Sequence, residues 1–136
     1  MHIPDGFIDI PTSTAFVALA GAGVALSLRG ARSSLDDKTA PLAGLTATFI
    51  FAVQMLNFPV AAGTSGHLLG GALAAVLVGP FTATLALTVV LLMQALLFAD
   101  GGLTAIGLNV FNMSIIGVWV GYGTFCLVRK LFSLPV

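Results

Sequence analysis

The first two residues of the chain provide three nitrogen atoms that can bind one metal ion. These are the α-amine of Met1, the main-chain amide nitrogen of His2 and the imidazole Nδ1 of His2. Binding all of them closes a five-membered and then a six-membered chelate ring, so almost no loop-closure entropy is lost. A deprotonated amide suits square-planar nickel(II) or copper(II) and low-spin cobalt(II), whereas zinc prefers a tetrahedral site. The sequence therefore predicts a planar nitrogen site at the N-terminus.

His67 is the candidate for the fourth nitrogen ligand. It is the only other histidine, and it follows Gly63-Thr64-Ser65-Gly66, in which two glycines that break helices flank two hydroxyl side chains. We expect this stretch to form a turn that presents a neutral imidazole at or near the start of the next helix. The predicted site requires that this turn and the N-terminus meet.

Few other residues in the chain can carry catalytic chemistry. There are five acidic residues, all of them aspartate, and one cysteine, Cys126. We recognise no general acid and base pair, no nucleophile motif and no phosphate-binding loop, so an enzyme is not expected. Asp100 precedes Gly101-Gly102 and is interpreted as a turn residue.

The composition is that of an integral membrane protein. Hydrophobic residues make up 58% of the chain and charged residues 7%, with a mean hydropathy of +1.10. In soluble domains, roughly a quarter of all residues are charged. The charged side chains lie at the ends of apolar segments or between them. The net charge of zero gives no reason to expect a nucleic-acid partner.

The apolar segments predict an all-α fold, a polytopic bundle of about five transmembrane helices in a single domain over residues 1–136. Pro4, Gly6 and Pro11 favour a non-helical N-terminal arm over residues 1–11, followed by Thr12 or Ser13 as the cap of the first helix. The predicted helices cover about residues 12–28, 39–58, 67–78, 81–98 and 103–128.

Basic residues set the expected orientation of the bundle. They lie in the first connection and near the C-terminus, at Arg29, Arg32, Lys38 and Arg129-Lys130. Because short loops rich in Lys and Arg stay in the cytoplasm, we expect the N-terminus outside and the C-terminus inside. The same rule places His67 on the outer side, together with the N-terminus.

Polar residues within the apolar segments are candidates to orient the metal ligands. Gln54, Asn57, Gln94, Asn109 and Asn112 each either form a hydrogen bond to another helix or line a polar cavity. These polar residues could serve as ordinary hydrogen-bond partners between helices or as supports that orient the metal ligands, and the sequence leaves both roles open. Together with the hydroxyls beside His67, the candidates to orient the ligands are Thr64, Ser65, Gln94 and Asn109.

Small residues at helical spacing predict close contacts between helices. Gly117 and Gly121, spaced four apart, fit the pattern that lets two membrane helices approach. We favour packing within this chain over docking of another subunit.

Five stretches of the chain, in this order, resemble the CbiM/NikM family. They are Met1-His2-Ile3-Pro4-Asp5-Gly6-Phe7, Asn57-Phe58-Pro59-Val60, the stretch from Gly63 to Gly71 that contains His67, the stretch from Gln94 to Gly102, and Gly107-Leu108-Asn109-Val110-Phe111-Asn112-Met113. Members of this family are the substrate-capturing membrane subunits of energy-coupling-factor transporters for cobalt and nickel.

The resemblance implies a ligand set and a set of partners. The ion, Co²⁺ or Ni²⁺ as transported substrate, would be held by Met1, His2 and His67. A membrane coupling subunit, cytoplasmic ATPase subunits and a small accessory membrane subunit would complete a transporter in the prokaryotic inner membrane. The resemblance also implies a connection to cobalamin biosynthesis.

The resemblance stops short of the full family pattern. Family members usually carry one or two further membrane helices after the stretch that matches Asn109 to Gly123, so we expect a core that is truncated or completed by another polypeptide. The alternative function is a structural or channel-like membrane fragment with no metal site.

Overall fold

The chain is predominantly helical, and the computed structural model describes residues 2–62 and 64–132. Its elements are α1 (Ile10–Ala31), α2 (Thr39–Gln54), β1 (Phe58–Ala61), β2 (Thr64–Gly66), α3 (Gly71–Val78), α4 (Pro80–Leu97), α5 (Ile106–Val110), a π-helical segment (Phe111–Ile116) and α6 (Gly117–Leu131). The last three elements run on as one helix over Ile106–Leu131.

Three of the described helices are long and apolar enough to cross a membrane, namely Ile10–Ala31, Pro80–Leu97 and Ile106–Leu131. Helix α2 is a shorter apolar helix of 16 residues. Large apolar side chains such as Leu19 and Leu26 on α1 are exposed, as expected for a surface that lipid covers. The expected helical membrane fold is confirmed, and the count of five crossings and their orientation stay predictions.

Helix α4 lies at the centre of the bundle. Of its most apolar window 44% is buried, compared with 11% for α1 and 22% for the last span. Leu87 of α4 packs in one apolar cluster with Ala74 of α3 and Val118 of α6. Leu91, one turn later, packs in a second cluster with Ala20 of α1. Helix α4 therefore contributes to both clusters and holds α1 and α3 in place.

Helix α1 begins earlier than predicted. Asp9 is its N-cap and accepts a hydrogen bond from the Thr12 amide at 3.1 Å, so neither Thr12 nor Ser13 is the cap. Pro11 lies in the first turn, where its missing N–H costs nothing. The N-terminal arm therefore ends at Asp9 rather than at residue 11.

The predicted boundaries around His67 are also wrong. Helix α2 ends at Gln54 rather than residue 58, and β1 pairs with β2 in an antiparallel hairpin. Pro59 disfavours helical backbone at the residue before it, which helps to explain the early end. Helix α3 begins at Gly71 rather than residue 67, because Gly70 has a φ of 78° and cannot lie inside an α-helix. His67 consequently precedes the helix in an irregular segment.

The two later helices match the prediction more closely. Helix α4 covers Pro80–Leu97, within one residue of the predicted range at each end. The last helix covers Ile106–Leu131 and lies three residues later than predicted, because residues 103–105 form a turn.

The small residues pack helices against each other within this chain. A Cβ on Gly71 would lie 2.9 Å from the carbonyl carbon of Gly117, and a Cβ on Gly121 would lie 2.7 Å from the Cβ of Ala72. These contacts join α3 to α6 and agree with the expected packing within the chain for Gly121. A Cβ on Gly117 would instead meet only the Asn112 carbonyl oxygen, at 3.3 Å.

Gly107→Ala should destabilise the bundle. A Cβ at this position would lie 2.7 Å from Val17 Cα and 2.8 Å from the Phe16 carbonyl carbon, which are main-chain atoms of α1 that cannot rotate away. We expect a loss of about 1–3 kcal/mol, seen as a lower Tm in detergent. Gly123→Ala is the control, since nothing lies within 4 Å of its Cβ position. Equal melting of the two variants would contradict this packing.

Candidate metal-capture site

The N-terminal arm (residues 2–9) folds back onto the loop between α4 and α5 and onto α5 itself. Asn109 of α5 accepts a hydrogen bond from the Ile3 amide at 2.9 Å and donates one to the Ile3 carbonyl at 3.1 Å. The Gly102 amide also donates to the Ile3 carbonyl, at 2.9 Å. Both main-chain groups of the residue after His2 are thus bonded, which fixes the path of the arm.

Asp5 fastens the arm at a further point. Its Oδ1 accepts hydrogen bonds from the Thr104 amide at 2.7 Å and from the Thr104 hydroxyl at 2.6 Å. These bonds stabilise the ionised carboxyl and lower the pKa of Asp5, with the hydroxyl contributing most. A Cβ on Gly102 would lie 2.6 Å from the carbonyl carbon of Pro4, so the arm can pass this close only beside a glycine.

His2 is buried where the arm meets the loop. The residue is 6% exposed, and a Cβ on Gly101 would lie 2.9 Å from the His2 Cβ. His2 Nδ1 lies 3.1 Å from Asp100 Oδ1, an ion-pair distance without hydrogen-bond geometry. Neither ring nitrogen has a hydrogen-bond partner among the described residues. A buried imidazole with this much unused bonding capacity suits a metal ligand.

Asp100 is turned toward His2 by the end of α4. The main-chain carbonyl of Gln94 accepts hydrogen bonds from the amides of Phe98 and Asp100, at 3.1 and 3.0 Å. Ala99 between them has a φ of 52°, which non-glycine residues seldom adopt. The sequence interpretation of Asp100 as a turn residue missed this contact with His2, because only the tertiary fold brings the arm to the loop.

His67 lies in the segment His67–Gly70, which we call the His67 segment and which has no regular secondary structure. Its Nδ1 lies 2.9 Å from the Leu68 carbonyl oxygen. A carbonyl can only accept, so this contact assigns the ring proton to Nδ1 and leaves a lone pair on Nε2. The ring is therefore prepared to bind a metal through Nε2.

The two histidine rings lie next to each other. Their centres are 5.3 Å apart and their planes are inclined by 34°. Imidazoles that share an ion at metal–nitrogen distances of about 2.1 Å have ring centres roughly 4.5 to 6.5 Å apart, depending on the ligand angle. The spacing of His2 and His67 therefore matches that of two rings on one ion.

The described residues contain no larger cluster of metal-binding side chains around the two rings. In the described parts of the chain, no three His, Cys, Asp or Glu side chains form a group that could hold a metal. Met1, whose α-amine is a predicted metal ligand, lies outside the described residues.

The residues predicted to orient the ligands have different surroundings. Asn109 forms hydrogen bonds to the main chain of Ile3, the residue that follows His2. Gln94 is fully buried, and its side-chain amide has no partner among the described residues. Ser65 lies in β2 and pairs with Pro59, whereas the side chain of Thr64 lies outside the described part.

Residues 2–135 match the model of the CbiM family, described as the cobalt uptake substrate-specific transmembrane region. The chain belongs to the CbiM family. The family resemblance inferred from the sequence is confirmed.

Two curated relatives are longer than this chain. A putative metal transport protein of Haloquadratum walsbyi is 46% identical over 131 residues, which is 96% of this chain and 60% of that protein. A putative fused nickel transport protein NikMN of Archaeoglobus fulgidus is 46% identical over 130 residues, which is 96% of this chain and 43% of that protein.

A solved structure shares the fold. The crystal structure of a truncated transition metal transporter superposes with a TM-score of 0.91 at 37% identity, over 99% of this chain and 63% of that one. The chain therefore spans between 43% and 63% of the length of these three proteins.

Thr104→Val should raise the pKa of Asp5 toward its ordinary value of 3.8, because the variant removes the hydroxyl donor. A carboxyl with a lowered folded-state pKa stabilises the docked arm fully above pH 3.8 and loses that effect as the pH falls through the lowered value. Arm release on acidification should therefore begin at a higher pH in the variant. Carboxyl chemical shifts followed by NMR measure both changes.

Thr12→Val is the matched control for this titration. The Thr12 hydroxyl and amide lower the pKa of Asp9, not that of Asp5. An Asp5 titration that is the same in Thr104→Val, Thr12→Val and the original chain would contradict the anchoring role of Thr104.

Proposed function

We propose that this chain is the substrate-capturing membrane subunit of an ATP-driven cobalt or nickel uptake transporter. The observation that carries the proposal is the folded-back arm, which brings the His2 ring centre to 5.3 Å from that of His67. These two histidines are 65 positions apart in sequence. The hydrogen bonds of Asn109 to Ile3 fix the arm that carries His2 and so hold His2 beside His67.

The proposed ligands are four nitrogen atoms. The Met1 amine, the His2 amide and His2 Nδ1 form the chelate, and His67 Nε2 takes the remaining corner of the plane. In support, His2 Nδ1 has no hydrogen bond among the described residues, and the contact of His67 Nδ1 with the Leu68 carbonyl leaves Nε2 free. Such a set favours Ni²⁺ and Co²⁺ over zinc, which prefers a tetrahedral site.

Asp100 contributes charge to the proposed site. Its Oδ1 lies 3.1 Å from His2 Nδ1, the atom that would bind the ion. A carboxylate this close to a largely buried position attracts a divalent cation, since charges interact more strongly when they are shielded from water. The ion would displace this carboxylate from direct contact with Nδ1 and keep it nearby as a counter-charge.

Transport would require partner proteins. The sequence contains no phosphate-binding loop, so ATP hydrolysis would take place in cytoplasmic ATPase subunits. A membrane coupling subunit, together with a small accessory membrane subunit, would transmit that work to this bundle in the prokaryotic inner membrane. The ion captured outside would be released inward when the bundle is reoriented. The match to the CbiM family model and the relatives named for metal and nickel transport support a role in metal uptake.

The N-terminal amine provides the test of the proposed function. Nickel and cobalt titrations would compare the chain with a native Met1 and a version extended by one residue before Met1, with an extension after Val136 as control. The extension at the front moves the amine and leaves every side chain in place. We expect tight binding with a square-planar absorption band in the native and control forms, and a loss of more than roughly 100-fold in the front-extended form.

Alanine substitutions complete this test. His2→Ala and His67→Ala should each abolish tight binding while the protein remains folded by circular dichroism. Equal binding by the native and front-extended forms would exclude the N-terminal chelate. Failure of every form to bind would favour a structural or channel-like membrane fragment instead.

A further inference from the structure

The His67 segment needs a support outside itself, because it lies between β2 and α3 without regular secondary structure. Within the described residues, its one main-chain hydrogen bond is that from the Ala74 amide to the Gly70 carbonyl, at 2.9 Å. The Leu69 carbonyl is bonded differently. It accepts a hydrogen bond at 2.7 Å from Nε2 of Gln54, the last residue of α2.

Gln54 is costly as a structural residue. It is fully buried, and its Oε1 has no partner among the described residues. A buried amide that uses only its donor end loses the hydration of its carbonyl without compensation. An apolar side chain of similar size would avoid that cost, so stability alone gives little reason for glutamine here.

Helix α2 contacts the His67 segment at a second, adjacent point. Ile50 lies one turn before Gln54 and is fully buried. A Cβ on Gly70 would lie 2.7 Å from Ile50 Cγ2, so the segment passes close to the same face of α2. The Ile50 side chain limits how closely the His67 segment can approach α2. The hydrogen bond from Gln54 holds the segment in that position.

The segment also borders open space. An apolar groove of about 850 Å³ runs beside it and is lined by His67, Leu69 and Leu56, among others. The groove leaves room for the segment to shift if its bond to α2 is lost. The Leu68 carbonyl, which contacts His67 Nδ1, belongs to the peptide unit next to the one that Gln54 holds.

We propose that Gln54 is a positioning residue for metal capture, which holds the His67 segment so that His67 Nε2 faces the chelate at the N-terminus. This inference rests on the proposed function. Loss of the Gln54 amide should leave the chelate of Met1 and His2 intact and misplace only the fourth ligand.

The experiment is a nickel titration of detergent-purified Gln54→Met and Gln54→Glu, each with a native Met1. Methionine keeps the approximate size without a donor, and glutamate keeps the shape but presents oxygen to the Leu69 carbonyl. We expect affinity to fall about 10- to 100-fold. At nickel concentrations high enough to fill the weakened sites, the absorption band of bound nickel should match that of His67→Ala, the signature of a site that lacks only the fourth nitrogen.

Thr46→Val is the matched control. Thr46 is a buried polar residue on the same helix, eight positions and about 12 Å before Gln54, so its loss tests general damage to α2. We expect original affinity and an unchanged band in this variant.

Two results would overturn the role of Gln54. One is original affinity in both Gln54 variants, and the other is weaker binding with the original band or with an unfolded protein, which indicates a merely structural residue. Failure of the proposed function looks different, because the original chain itself would then show no square-planar nickel band.

Discussion

The paired hydrogen bonds between Asn109 and the main chain of Ile3 are the constraint on which the rest of the candidate site depends. A chain terminus in water samples many conformations, and ordering it costs roughly 1–2 kcal/mol per residue. Here both main-chain groups of Ile3 are bonded to a side chain that α5 holds in place. His2, one residue earlier, is thereby buried beside Asp100 and next to His67.

The helices explain why this anchor is in the right place. Gly107 lets α5 contact the main chain of α1, so the start of α1 and the arm that leads into it lie beside Asn109. Helix α4 carries the loop with Asp100 at its end and fixes both α1 and α3 through its two apolar clusters. Helix α2 contacts the His67 segment through Gln54. The bundle thus positions two short irregular segments, each of which carries one histidine.

The sequence predicts the helical membrane fold because apolar composition and segment length are strong signals. Helix ends were less predictable, since the capping by Asp9 and the left-handed backbone of Gly70 are local features that hydropathy does not reveal. The short hairpin of β1 and β2 was missed for the same reason, as its strands have four and three residues.

The chain has two histidines, one of them at position 2, and this was enough to predict that the side chains of His2 and His67 meet. The contacts of Asp100 with His2 and of Gln54 with the Leu69 carbonyl could not be named, although both residues were noted. A turn residue and a polar residue at the end of a helix can each contact many different partners. Only the tertiary fold determines which partner each one finds.

X-ray absorption spectroscopy of the chain loaded with one equivalent of nickel can decide whether His2 and His67 bind the same ion, because it counts the ligands around the ion itself. We expect a first shell of nitrogen only, with outer-shell scattering from two imidazole rings. A spectrum with a single ring, or an oxygen-rich six-coordinate shell, would show that His2 and His67 do not share the ion.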